Sequence, residues 1–181
     1  SKTVAEALST AISKIGENMV IRRFQIYDIK GSGAFATYIH STGKIGVLVE
    51  VGTDNAAAAT NEATQTFAKD VAMHVAAANP QVVRGEEVSK ELVAKETDIF
   101  MALMKQDPKN ANKPQNILEN IIKGKVAKFI SEISLVEQPF VKDPSKTVAK
   151  LAAEVSAKAG GKVDVRRFTR FQLGEGVAAE A

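Results

Sequence analysis

The residues of this chain whose types could do chemistry are two histidines, two arginine doublets and two short glycine turns. His40 and His74 are the only histidines, and there is no cysteine. Zinc sites place their ligands at set spacings, and neither His-x-Glu nor His-Glu-x-x-His surrounds either residue. Each therefore reads first as a packed or surface imidazole with a satisfied ring nitrogen. Gly31-Ser32-Gly33 and Gly174-Glu175-Gly176 lack the Lys-Ser/Thr that follows the glycines of a phosphate loop, and read as turns. No serine sits in a G-x-S-x-G elbow. Carboxylates such as Glu91, four residues before Lys95, stand at helical salt-bridge spacing on a solvated face. Arg22-Arg23 and Arg166-Arg167 are expected to put one guanidinium on each face of a strand. One of each doublet pairs across a sheet, and the other is available to a partner, since Arg is enriched at interfaces. No nucleophile, acid–base pair, metal set or cofactor motif emerges. The chemistry left is that of binding.

The elements that must carry these residues follow from periodicity. Residues 2–15 repeat Val4, Leu8, Ile12 and Ile15 on one helical face, and Gly16 is a stop. Three strand candidates come next: 19–29, rich in β-branched and aromatic residues, then 34–41 and 44–51. The turns between them, Gly31-Ser32-Gly33 and Thr42-Gly43, are short enough for an antiparallel meander. The run Lys44 to Val51 is nearly all apolar, as a central strand is. A turn at Gly52-Thr53-Asp54-Asn55 opens a helix over 56–78, with Phe67, Val71, Val75 and Ala78 on one face, and Asn79-Pro80 ends it.

Residues 85–105 and 114–133 read as two amphipathic helices joined by a polar, Pro-bearing loop, which makes a helical hairpin. Leu92, Ile99 and Leu103 on the first and Ile122 and Phe129 on the second form apolar stripes. These stripes could close on each other, on the core or on a second copy of the chain. Residues 134–144 read as extended, Ser145 as the cap of a helix over 146–158, and 163–173 as a last strand. Val20-Ile21-Arg22-Arg23-Phe24 is echoed by Asp164-Val165-Arg166-Arg167-Phe168, which suggests two strands of one sheet with the hairpin as an excursion between them. The expected fold class is α+β: an antiparallel sheet of three to four strands packed by helices, with an inserted helical hairpin of coiled-coil type. The core is 1–84 plus 134–181, and the insert 85–133.

Composition agrees with a binding protein. The 181 residues are 45% hydrophobic, too apolar for disorder. The absence of cysteine excludes a disulfide scaffold and a thiolate metal site, and fits a reducing compartment. The net charge of +3 comes from 24 basic and 21 acidic residues that are scattered, without the dense basic face of a nucleic-acid binder. No apolar run reaches the roughly 20 residues of a membrane span, and the start of the chain lacks the apolar core of a secretory signal. Ser1 in place of Met suggests a processed chain or an excised fragment.

Several segments in order resemble bacterial translation elongation factor Ts, the nucleotide exchange factor of the GTPase elongation factor Tu. They are Lys14-Ile15-Gly16-Glu17-Asn18-Met19-Val20-Ile21-Arg22-Arg23-Phe24, then Tyr38-Ile39-His40, Lys44 to Glu50, and Val71-Ala72-Met73-His74-Val75-Ala76-Ala77. Gln138-Pro139-Phe140-Val141, Pro144-Ser145-Lys146-Thr147-Val148, Arg167-Phe168 and Gly174-Glu175-Gly176 complete the set. The resemblance implies the second half of that family's core, with residues 85–133 as a hairpin used by some relatives for dimerisation. It implies elongation factor Tu as partner and promotion of GDP release by binding, without cofactor, metal or covalent step. It also implies a bacterial cytoplasmic setting, or else an organellar matrix or stroma. The partner-contacting residues it nominates are His74, Met73, Asp54, Arg23 and Gly174. Departures are clear. The family's small N-terminal domain and first core half are absent from this stretch. That first half carries the family's Thr-Asp-Phe-Val motif, whose Asp and Phe press into the GTPase; Thr53-Asp54-Asn55-Ala56 occupies the corresponding turn of the second half, with Asn55 where the Phe would be. The competing reading is a dimerisation or interaction module with no exchange role.

Overall fold

A computed structural model describes residues 2–40, 43–110 and 113–176. In chain order the elements are α1 (Val4–Ile15), β1 (Ser32–Ile39), β2 (Ile45–Thr53), α2 (Ala56–Thr60), α3 (Glu62–Ala78), α4 (Lys90–Gln106) and α5 (Gln115–Ile133). Then come β3 (Pro139–Phe140), β4 (Asp143–Thr147), α6 (Val148–Ala159) and β5 (Val163–Gln172). β1, β2 and β5 form an antiparallel sheet with β2 in the middle, and β3 pairs with β4 in a small hairpin. This is the expected α+β class, and the apolar run centred on Val47 is indeed the central strand.

Alternation along β2 divides the sheet's two faces. Val47, Val49 and Val51 enter the core with Phe67, Val71 and Val75 of α3 and Val148 and Val155 of α6. Burying each Val or Phe side chain contributes roughly 1.5–3 kcal/mol. The small residues Ala68 and Ala72, both buried, let α3 approach the sheet closely. Every α-helix except α5, which begins after Pro114, starts where a side chain replaces a missing backbone partner. Thr3 and Glu6 form a reciprocal capping box at α1, Ser89 caps α4, and each cap is worth about 1 kcal/mol.

Four expectations are corrected. Residues 19–29 form no strand. They run as an extended strap, and Phe24 in it is 79% exposed. β propensity is expressed only through ladder pairing, and the strap meets the edge strand β5 through side chains instead, Tyr27 with Thr169 and the Asp28 and Lys30 carbonyls with Arg167 and Arg166. The echo between Val20–Phe24 and Asp164–Phe168 is therefore not a shared sheet, since only the second copy lies in β5. The expected helix over 56–78 is broken at Asn61, whose backbone is extended and whose side chain accepts from the Ala63 N–H at 2.9 Å to start α3 afresh. Ser145 caps nothing. It belongs to β4, and the Thr147 hydroxyl accepts from the Lys150 N–H to begin α6.

α4 and α5 pack against each other as a hairpin that leaves the core between Val88 and Ser134. Its base is tied down by backbone hydrogen bonds from Gln81 to the Ile133 carbonyl (2.8 Å) and from Leu135 to the Val82 carbonyl (3.0 Å). The loop between the two helices includes positions 111 and 112, and the Ala-rich tail starts at 177. Both, like Thr42 of the β1–β2 turn, lie outside the described residues.

Candidate partner-binding site

The strap and the end of β5 bring Arg23 and Gly174 together. Gly174 has φ 78°, a left-handed conformation that suits glycine, and the turn it makes lets the Glu175 N–H donate to the Gln172 carbonyl at 3.1 Å. Glu175 then meets Arg23, whose Nη2 donates to Oε2 at 3.0 Å. The Arg23 bond, helped by the Gln172 N–H, holds the Glu175 carboxyl below the usual range. The same guanidinium lies 4.8 Å from the centroid of the Phe171 ring. Together these residues line a groove of about 710 Å³ with Met19, Ile21 and Gly46.

His74 is placed differently from a contact residue. It is 1% exposed. Its Nδ1 accepts from the Val141 N–H at 3.2 Å, and its Nε2 lies 2.9 Å from the Gln138 side-chain oxygen. A backbone N–H can only donate, so the proton of the neutral ring belongs on Nε2, which donates to Gln138. Gln138 in turn donates from its amide nitrogen to the Glu132 carbonyl of α5 at 2.6 Å. Burial holds the imidazole below its ordinary 6.5, partly opposed by the Gln138 bond. Met73 beside it is half-buried. Arg170 reaches the Ala76 carbonyl at 3.4 Å, so the C-terminal end of α3 lies over the same end of the sheet as the Arg23 groove.

Asp54 is exposed but remote from these residues. It follows Thr53, at the far end of β2 from Ile45, which pairs with Gln172. Eight strand steps at about 3.3 Å put roughly 26 Å between the two ends. At Asp54 the Asn55 side chain caps α2 by accepting from the Ala58 N–H at 2.7 Å, and its Nδ2 donates to the Asp54 carboxylate at 2.9 Å. Gly161 leaves room for both side chains, because a Cβ there would collide with them.

The arginine doublets depart from the expectation of one guanidinium per face. Arg22-Arg23 lies in the strap, not on a strand. In β5 the register shifts between Glu50 and Val51, so Arg167 pairs with Glu50 while Val165 pairs with Val51, and Arg166 is the extra residue of a bulge. Both guanidinia then reach one carboxylate: Arg167 Nε donates to Glu50 at 2.6 Å and Arg166 Nη1 at 3.2 Å. Glu50 is 2% exposed. The remaining donors hold the strap, Arg166 to the Lys30 and Ser32 carbonyls at 2.7 and 3.0 Å and Arg167 to the Asp28 carbonyl at 3.0 Å. Tyr27 adds a 2.7 Å hydroxyl bond to Thr169 and lies under the Arg167 guanidinium.

Sequence reasoning missed Glu50, Gln138 and Glu175 as the groups that fix these pieces. Glu50 had a signal: a carboxylate inside Val47-Leu48-Val49-Glu50-Val51 needs a cation if the strand is central.

On the hairpin, Ile99 (40% exposed) and Leu103 (56%) share the outer face of α4, while Leu92, Ile122 and Phe129 are half-buried. Among the described residues, no three of His, Asp and Glu gather as a metal cluster requires, and no helix is long and apolar enough to cross a membrane.

Comparison with known proteins gives these surfaces a context. The family model described as Elongation factor TS matches residues 1–175. Elongation factor Ts of Trichlorobacter lovleyi is 46% identical over 177 residues, covering 98% of this chain and 55% of the relative. That of Bdellovibrio bacteriovorus is 40% identical over 177 residues, covering 98% and 56%. That of Geobacter sulfurreducens is 50% identical over 145 residues, covering 80% and 65%. The chain thus spans little more than half the length of the first two relatives.

Proposed function

We propose, since this chain belongs to the elongation factor Ts family, that it binds elongation factor Tu and promotes release of GDP. The match along residues 1–175 carries this reading. The mechanism is linkage. A protein that binds the GTPase better when its nucleotide is absent must weaken nucleotide binding by the same factor. Each tenfold gain in release corresponds to about 1.4 kcal/mol of barrier. The chain supplies docking surfaces and no covalent step. Arg23 with the Gly174 turn, Met73 with the segment that His74 holds, and Asp54 at the opposite end of the sheet are the contact regions we assign. Asn55 in place of an aromatic wedge limits what the Asp54 turn contributes. The setting we assign is the bacterial cytoplasm.

The test is to mix the chain with elongation factor Tu carrying a fluorescent GDP and follow dissociation. Faster release is expected. Binding without acceleration would reduce the chain to a docking fragment, and absence of both would overturn the reading. The exposed Ile99 and Leu103 favour a second, compatible role for residues 85–133 in forming a homodimer. Sedimentation equilibrium of the chain and of Leu103→Lys tests it, with a concentration-dependent dimer expected only for the former.

A further inference from the structure

The buried His74 does more for the partner surface than its lack of exposure suggests. It lies one helical turn after Asp70 on α3, and the two residues hold consecutive positions of the β3–β4 turn. His74 Nδ1 takes the Val141 N–H at 3.2 Å, and the Asp70 carboxylate takes the Lys142 ammonium at 2.7 Å. The Phe140 ring packs 5.9 Å from the imidazole. Behind the ring, Gln138 ties the same segment to the Glu132 carbonyl in the last turn of the hairpin helix. Val141 and Lys142 themselves are exposed. Met73 is three residues from Asp70, hence on the neighbouring helix surface.

Resting on the exchange-factor reading, we propose that His74 is a positioning residue, which acts by pinning the Val141 amide so that the β3–β4 turn and Met73 form one rigid contact face for the GTPase. The imidazole touches no partner atom. Its work is done through the turn, as a neutral ring with an acceptor on one nitrogen and a donor on the other.

The side-chain chemistry of substitution separates this role from direct contact. An Asn at position 74 places an amide oxygen near the site of Nδ1, whereas a Gln reaches toward the site of Nε2. His74→Asn therefore keeps the acceptor for Val141, and His74→Gln keeps only the link to Gln138. Two measurements on the whole chain decide the matter: hydrogen exchange of the Val141 amide, and affinity for nucleotide-free elongation factor Tu by titration calorimetry. His74→Ala should speed Val141 exchange and weaken binding, each by roughly tenfold or more, as loss of a buried hydrogen bond does. His74→Asn should restore both, and His74→Gln neither. Exchange at Val71 of α3 shows whether a variant is still folded. The proposal is overturned if Val141 stays protected in His74→Ala, if the turn loosens while affinity holds, or if Gln rescues as well as Asn. Should the unaltered chain fail to bind the GTPase, the exchange-factor reading falls and the contact role with it. The pinning of the turn then stands or falls on the Val141 amide alone.

Discussion

Removing the charge of Glu50 probes the device that fixes the strap to the sheet. In Glu50→Gln the side chain keeps its shape and one acceptor, but two guanidinia at 2.6 and 3.2 Å lose their counter-ion. Breaking a fully buried ion pair from one side costs about 3–5 kcal/mol. Here only the carboxylate is buried. The arginine side chains are 35% and 43% exposed, and both keep backbone carbonyl partners. Solvent screening at the arginine end brings the expected loss to about 2 kcal/mol. For a chain of this size each kcal/mol lowers the melting temperature by about 2–4 °C, so a drop of roughly 4–8 °C is expected.

Calorimetry measures that drop, and limited proteolysis locates it. Cleavage between residues 27 and 32 should precede that of α3, because the arginines that hold the Asp28, Lys30 and Ser32 carbonyls are no longer oriented. A shift below about 1 °C, with the strap as resistant to cleavage as before, would refute the view that this triad anchors it.

Three further outcomes follow. Because the His74 pKa is lowered in the folded chain, the unfolded state binds more protons below pH 6.5. Stability is then fully present above that value and is lost as pH falls through the folded pKa. Thermal melts between pH 7 and 5 should show this slope, and His74→Asn should flatten it. Arg23→Ala should weaken binding of elongation factor Tu several-fold without shifting the melting temperature, since its ion pair with Glu175 is about half exposed and such pairs contribute at most about 1 kcal/mol to folding. Gly161→Ala should displace Asn55 from the start of α2, costing about 1 kcal/mol for the cap and so about 2–4 °C, while disturbing the Asp54 turn; parallel melting and GDP-release measurements on this variant read both effects.

Much of the fold was legible because its elements carry strong local signals. Val47, Val49 and Val51 announce a covered strand, Phe67, Val71 and Val75 a helix face, and Gly16 a stop. The strap was misread for a physical reason. Val20, Ile21, Phe24 and Ile26 have the residue types of a strand, but pairing depends on an edge that sequence does not display. The bulge at Arg166 was equally hidden, because period-two alternation assigns consecutive residues to opposite faces until an extra residue intervenes. The nominated contact residues were legible as a set only through family likeness. Their arrangement was not: Arg23 and Gly174 meet in one groove, Asp54 stands across the sheet, and His74 turns inward.

The inward-facing polar groups bear on how such a protein could act. Glu50, which pairs with Arg166 and Arg167, and His74 with Gln138 sit where hydrophobic side chains would pack with less need for exact partners. Each instead joins a segment of little regular structure to the sheet or to α3: the strap in one instance, the β3–β4 turn in the other. Those segments carry Arg23, Val141 and Lys142 on their outer sides. An exchange factor shifts its partner only by as much as its contacts differ between the nucleotide-bound and nucleotide-free states. A loose segment follows the partner through both states and contributes little difference. A segment pinned by directional bonds cannot follow without breaking them, so its contacts favour one partner state over the other. On the proposed exchange-factor reading, the buried polar residues of this chain are what would make its surface stiff enough to bias a ligand bound elsewhere.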